Sequence, residues 1–103
     1  MPFGRLIAEA RKKANLSQKE LANLIKKEDG QPISPQYLND IERDRRNPPS
    51  AFLIEQFAKV LQIEKDLLYF YAGELPADIK DVPADNEKVI EAYRAFRRTL
   101  KET

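Results

Sequence analysis

Three serines divide the first 73 residues into short helices, and this feature restricts the fold more than any other. Ser17, Ser34 and Ser50 each precede a run of apolar residues at helical spacing, where a hydroxyl can accept a hydrogen bond from the first turn. Residues 47–49, Asn-Pro-Pro, end the third run, because proline cannot donate to the helix and disfavours a helical predecessor. Gly73 is typical of a left-handed helix end. The chain must therefore pack short helices through short links.

Five helices and no strand are predicted for residues 1–73, which gives a compact all-α domain. Apolar residues recur every three or four positions, as on one face of a helix. The predicted helices are Phe3–Ala14, a second opening at Ser17, a third at 34–44, a fourth opening at Ser50, and Glu64 to about Ala72. In the second helix, we expect Leu21, Ala22, Leu24 and Ile25 to be buried.

The C-terminal third differs in pattern. Residues 74–84, ELPADIKDVPA, contain two prolines and predict a linker, and a last helix is predicted over 85–103. Its apolar residues have heptad spacing: Val89, Tyr93, Phe96 and Leu100. An isolated helix of this length is marginal in water, so this seam must dock. Packing on its own domain and dimerisation with a second copy both remain open.

Composition excludes several classes of function. The chain has no histidine and no cysteine, which removes the usual metal ligands and most nucleophile–base pairs. Its three glycines are scattered and form no phosphate-binding loop. We therefore expect no enzyme, no metal and no cofactor. Apolar runs are too short to span a membrane and the start lacks an export signal, so a cytoplasmic protein with no membrane partner is expected.

Charge is unevenly distributed although the net charge is only +1. Residues 1–30 hold seven basic and four acidic side chains, whereas residues 51–75 hold two basic and four acidic. Together with the cluster Arg43, Arg45 and Arg46, the N-terminal third can form a basic face. That face suits a polyanionic partner, although ordinary solvated charge would give the same pattern.

Two stretches carry a family resemblance: RKKANLSQKELANLI and ISPQYLNDIERDRRNPPSAFLIEQFAKVLQI. They resemble the lambda-repressor-like helix-turn-helix of the Xre family, the type found in Cro and phage repressors. The resemblance covers residues 3–72. It implies a sequence-specific DNA-binding transcriptional regulator, by family habit a repressor, that binds double-stranded DNA as a homodimer. The third helix would then read the major groove, with the second helix crossing above it.

The resemblance implies base contacts from four residues of the third helix: Gln36, Tyr37, Asn39 and Asp40. Gln36 and Asn39 offer the paired donor and acceptor that match adenine. Tyr37 can cover a thymine methyl or reach a phosphate. Asp40 can accept from cytosine N4, or it is an internal partner for Arg43 or another basic side chain; both readings stay open.

Other positions are implied to hold the DNA backbone or the fold. The implied phosphate contacts are Gln18, Ser34, Arg45, Arg46 and Asn47. Ser34 is at least as well suited to serve only as the cap of the third helix, and the alternative for Arg45 and Arg46 is a solvated loop. In this family Arg11 and Glu42 would form a structural ion pair between the first and third helices.

Two features depart from the family. The link before the third helix, KKEDGQPI, is longer than usual and adds Lys26 and Lys27, which can reach towards the DNA backbone. Asp44 occupies a position that is often glycine, and aspartate tolerates the left-handed conformation better than most residues. Asp40 and Asp44 also dilute the positive charge around the third helix. This favours the alternative, a protein-binding module of the same fold, such as an antitoxin or adaptor, with weak affinity for DNA.

Overall fold

The computed structural model describes residues 2–102 and contains seven helices within that range. They are α1 (Phe3–Lys13), α2 (Gln18–Leu24), α3 (Pro35–Glu42), α4 (Ala51–Leu61), α5 (Lys65–Ala72), α6 (Ala77–Lys80) and α7 (Asn86–Lys101). The five N-terminal helices agree with the sequence to within a few residues at their ends, and the all-α class is confirmed. Within residues 2–102, none of the helices combines the length and the apolar character needed to cross a membrane.

The serine caps form as the sequence predicts. At α2 the Glu20 backbone N–H donates to Ser17 Oγ at 3.0 Å, and the Ser17 N–H donates to Glu20 Oε1 at 2.9 Å. The Ser17 backbone N–H, and then its hydroxyl, hold the pKa of the Glu20 carboxyl below its ordinary value. Ser34 and Ser50 accept from the first turns of α3 and α4. Local hydrogen bonding thus sets where these helices begin.

One core holds α1 to α5 together. α3 packs against α1 and α2, while α5 packs on α4 and also reaches α1. The largest fully buried side chains are Ile7, Leu21, Ile25, Leu38, Ile54, Phe57, Leu68 and Tyr69. The expectation that Leu24 is buried is wrong, because this residue is 47% exposed. α2 ends at Leu24, and the extended backbone at Ile25 turns the next side chain into the core instead.

A close approach of α1 and α3 requires glycine at position 4. A Cβ on Gly4 would overlap the carbonyl oxygen of Ile41 and lie 2.6 Å from that of Glu42. The Gly4 N–H donates to Asp44 Oδ1 at 2.9 Å. Asp44 itself has φ 54, the left-handed conformation that the sequence led us to expect there. The start of α1 is therefore fixed on the end of α3.

The long link between α2 and α3 is an ordered hairpin, where the sequence predicts only a polar loop. Lys26 and Pro32 form an antiparallel bridge, and the Lys27 N–H donates to the Gln31 carbonyl at 2.8 Å. The outward edge of Lys26 is clamped by the Gln56 side chain on α4, which accepts from the Lys26 N–H and donates to its carbonyl. The hairpin thereby holds a fixed position beside the start of α3.

The C-terminal segment lies over α5 without entering the core. The predicted linker 74–84 is partly helical, because it contains α6. Asp85 caps α7 by accepting from the Lys88 N–H at 2.8 Å, and no residue of α7 is buried. The Phe96 ring centroid lies 6.3 Å from that of Phe70 on α5. A cleft of 620 Å³ between α5, the linker and α7 is lined mainly by apolar groups, including Leu75, Ile79 and Tyr93.

Candidate nucleic-acid interface

The short helix α3 buries one side and presents a polar face on the other. Leu38 and Ile41 point into the core. Gln36 is exposed, while Tyr37, Asn39 and Asp40 are half-buried along the helix. α3 therefore has the binary pattern of a helix that packs on its domain and offers amide, phenol and carboxylate groups to a ligand.

The polar face of α3 is held in place by bonds within the protein. Gln36 Nε2 donates to Asp40 Oδ1 at 3.1 Å, one helical turn further on. Asn39 Oδ1 accepts from Gln18 Nε2 at 3.2 Å and from Arg43 Nε at 3.3 Å. The guanidinium carbon of Arg46 lies 5.1 Å from the centroid of the Tyr37 ring. Each of these three residues, which the sequence predicts to contact bases, therefore has a partner within the protein.

Asp40 lies under two arginines from the loop that follows α3. Its Oδ2 accepts from Arg46 Nε at 3.4 Å, and its Oδ1 is 3.8 Å from Arg45 Nη1. The Asp40 side chain is 17% exposed, whereas those of Arg45 and Arg46 are 57% and 56% exposed. Of the two readings left open for Asp40, the free protein adopts the internal pair, with Arg45 and Arg46 rather than with Arg43.

Gln18, at the start of α2, connects the two helices of the motif. Its Nε2 reaches Asn39 Oδ1 on α3 and also donates to Glu42 Oε1 at 3.0 Å. Because Gln18 is the first residue of α2, these bonds fix the N-terminus of α2 against the middle and the C-terminal end of α3. The two helices meet any ligand as one unit.

Arg11 and Glu42 form a two-bond ion pair between α1 and α3. Arg11 Nε lies 2.7 Å from Glu42 Oε2, and Arg11 Nη2 lies 3.0 Å from Oε1. Their side chains are only 12% and 5% exposed. The bond to Glu42 raises the pKa of Arg11 despite the opposing effect of burial. Arg11 also donates to the Leu16 carbonyl, so both charges are satisfied where they lie.

The residues expected to contact phosphate lie around α3. Arg45, Arg46 and Asn47 are exposed in the loop after it. Ser34 caps α3 by accepting from the Tyr37 N–H at 3.0 Å, which leaves its hydroxyl hydrogen available as a donor. Of the two loop lysines, Lys26 donates to the Asn23 carbonyl.

Sequence reasoning missed Gln56 and the bond from Gly4 to Asp44. Gln56 is a polar residue on a helix, and nothing in its spacing marks it as the clamp of a hairpin thirty residues earlier in the chain. The contact of Gly4 with α3 had one available signal, a glycine inside a helical pattern.

The chain matches the family model described as helix-turn-helix over residues 7–68. It belongs to that family. The match runs from within α1 to the middle of α5 and confirms the Xre, lambda-repressor-like resemblance. The chain is accordingly a DNA-binding helix-turn-helix regulator of the Xre type. No curated protein matches it.

A solved structure, the SinR protein/SinI protein complex, contains a chain of similar fold. The two chains are 25% identical, with a TM-score of 0.54, over 95% of this chain and 90% of the other. The alignment covers nearly all of both chains, so it extends beyond the helix-turn-helix of this chain into its C-terminal segment.

Proposed function

We propose that the protein is a transcriptional repressor that reads the major groove of double-stranded DNA with α3. The observation that carries this proposal is the polar face of α3, fixed to α2 through Gln18 while the opposite side of α3 is buried. In a helix-turn-helix the second helix of the motif enters the groove and the first crosses the backbone. We assign these two roles to α3 and α2.

The base contacts follow from the chemistry of the four side chains. Gln36 and Asn39 each carry an amide that pairs with adenine N6 and N7, and Tyr37 covers a thymine methyl. Their internal bonds hold them in one rotamer before binding, which lowers the entropy lost on contact. Asp40 is the one acceptor-only group of the set, and its preferred partner is cytosine N4.

Phosphate contacts surround this face and set its register on the duplex. Gln18 and Ser34 serve as neutral donors at helix starts, and Arg45, Arg46 and Asn47 extend the contact beyond the end of α3. Each phosphate that a cation neutralises adds about 0.9 to the log–log dependence of affinity on salt.

The protein acts as a homodimer that pairs through its C-terminal surface. Val89, Tyr93, Phe96 and Leu100 are 42–58% exposed, and the cleft beside them continues onto Phe70 of α5. Residues 64–85 hold six acidic and two basic side chains, whereas residues 88–101 hold five basic and one acidic. A symmetric pair would place the basic α7 of one copy against the acidic surface of the other, twice. Two recognition helices would then lie about 34 Å apart.

Selection of bound duplexes from a random pool, at low and near-physiological salt, tests both parts of the proposal. A two-fold-symmetric motif at the higher salt is the expected result. Gln36→Ala and Asn39→Ala should then each weaken binding to that motif by roughly 1–3 kcal/mol. Asn86→Ala on α7 is the matched control and should leave binding unchanged. Equal losses on all sequences would contradict base reading.

Charged replacements on the seam test the dimer separately. Tyr93→Glu with Phe96→Glu should halve the mass measured by sedimentation, while α1 to α5 keep their fold by circular dichroism. An unchanged mass would refute pairing through α7. An enriched single half-site in the selection would point the same way, because only one α3 would then engage each duplex.

A protein-binding role without sequence-specific DNA binding is the second candidate function. The exposed apolar surface of α7 favours it, as does the similarity to a chain solved in a complex of two proteins, SinR and SinI. The selection separates the candidates, since retention of DNA at low salt without an enriched motif would favour the protein partner.

A further inference from the structure

We infer that Asp40 is a specificity-determining residue that holds Arg45 and Arg46 away from the DNA backbone until α3 meets a cytosine. This inference rests on the proposed reading of the major groove by α3. It assigns to one carboxylate two functions: a restraint on binding to unrelated DNA and a reader of one base. The arginines contribute their phosphate contacts only on the correct sequence.

The geometry that brings the arginines to Asp40 is built by the left-handed residue Asp44. With φ 54 at Asp44, the chain reverses at the end of α3, and the Arg45 N–H donates to the Asp40 carbonyl at 2.9 Å. The side chains of Arg45 and Arg46 are thereby directed back along α3, where both reach the carboxylate of Asp40. Gln36 Nε2 adds a third donor from the preceding turn.

This cluster contributes little to the stability of the fold. Ion pairs with partners as exposed as Arg45 and Arg46 stabilise proteins weakly, because water screens them and two long side chains lose freedom. Asp40 caps no helix and does not contact the Arg11–Glu42 pair. A carboxylate on a face that approaches phosphates also lowers affinity for DNA in general. Its position is therefore best explained by selectivity rather than by folding.

On most sequences the cluster stays closed. The acceptors of guanine and thymine in the major groove, N7, O6 and O4, repel a carboxylate, and adenine presents its N6 donor directly beside the N7 acceptor, so Asp40 stays paired with Arg45 and Arg46 on these bases. Cytosine N4 instead offers a donor at the base edge and replaces the guanidinium groups of Arg45 and Arg46 as the partner of Asp40. Arg45 and Arg46 are then released towards the adjacent phosphates. The number of phosphates neutralised thus depends on the base that Asp40 meets.

The salt dependence of binding measures that number. For the unmodified protein, we expect the log–log slope on the selected motif to be steeper than on a scrambled duplex by up to about 1.8, two phosphates at 0.9 each. Asp40→Asn should steepen the slope on scrambled DNA towards that on the motif. It should also raise affinity for scrambled DNA by about 5-fold to 30-fold at 0.15 M salt, since each added contact contributes about 5-fold there.

Glu28→Gln is the matched control, because it removes the same charge from the exposed hairpin beside α3 without touching either arginine. It should change affinity slightly and leave both slopes as they are. Arg45→Gln with Arg46→Gln provides a second measurement if Asp40→Asn folds poorly. This double variant should lose about 1.8 from the slope on the motif and markedly less from the slope on scrambled DNA.

The outcomes separate this inference from the proposed function. No enriched motif for the unmodified protein would refute base reading itself. An enriched motif with equal slopes on both duplexes, or an Asp40→Asn variant that only loses thermal stability, would overturn the restraint alone. A motif that lacks cytosine at the Asp40 position would do the same, because nothing would then release the arginines.

Discussion

Loss of the Glu42 charge should destabilise the protein strongly while leaving its choice of DNA sequence intact. Glu42→Gln keeps the shape of the side chain but removes the carboxylate that accepts two bonds from Arg11, at 2.7 and 3.0 Å. Breaking a buried pair on one side costs about 3–5 kcal/mol, because the remaining charge is left uncompensated. With Arg11 only 12% exposed, water can compensate for little of this loss. For a domain of this size the midpoint of thermal unfolding should fall by about 12 °C or more.

Urea unfolding followed by circular dichroism measures the cost, and a second variant checks the reasoning. Arg11→Met combined with Glu42→Leu removes both charges at similar volume, and we expect it to cost less than Glu42→Gln alone. A loss below about 1 kcal/mol for Glu42→Gln, within the range of exposed pairs, would refute the argument. The DNA preference should be compared near 10 °C, where the variant remains folded. A changed preference there would assign Glu42 to the reading surface.

Three further outcomes follow from single contacts. Gly4→Ala should cost about 1–3 kcal/mol in urea unfolding, because its methyl overlaps backbone carbonyl oxygens of α3. The pKa of Tyr69 is raised from 10.0 to about 12, first by burial and then by the bond to Glu55. The protonated phenol therefore stabilises the fold fully below pH 10, and this stabilisation is lost as pH rises towards 12. Tyr69→Phe should remove this decline in the free energy of unfolding at alkaline pH. The lowered pKa of Glu20 stabilises the protein at pH values above 4.5, the ordinary pKa of this carboxyl, and the stabilisation is lost as pH falls through the pKa of the folded state. Glu20→Gln should therefore make the free energy of unfolding depend less on pH in the acid range.

Local signals in the sequence were sufficient for the helices of the N-terminal domain. A serine cap acts within three residues, and a buried stripe repeats every three or four, so both are legible along the chain. Asp85 as the cap of α7 and Gly73 as the left-handed end of α5 follow the same logic. Leu24 was wrongly expected to be buried because helical spacing was extended to Ile25, whereas α2 ends at Leu24 and the extended backbone at Ile25 brings that residue into the core instead.

Contacts between distant residues were not predictable in this way. The side-chain amide of Gln56 bonds both the N–H and the carbonyl of Lys26, yet in the sequence Gln56 is one polar residue among several on α4. For an internal pair, the sequence suggested Arg43 or another basic side chain as the partner of Asp40. In the structure Arg43 contacts Asn39, one turn earlier, and the basic partners of Asp40 come from beyond the helix.

Asp44 explains why the basic partners of Asp40 come from beyond α3, and why aspartate serves where glycine is common in the family. Its left-handed backbone turns Arg45 and Arg46 towards Asp40, which glycine would also allow. Its carboxylate in addition accepts from the Gly4 N–H, at the start of a helix whose own N-cap residue, Pro2, supplies no side-chain bond. A negative charge there also favours the positive end of α1. One residue thus fixes α1 on α3 and orients the arginines that surround the reading face, so the geometry of the candidate DNA interface depends on the same turn that closes the fold.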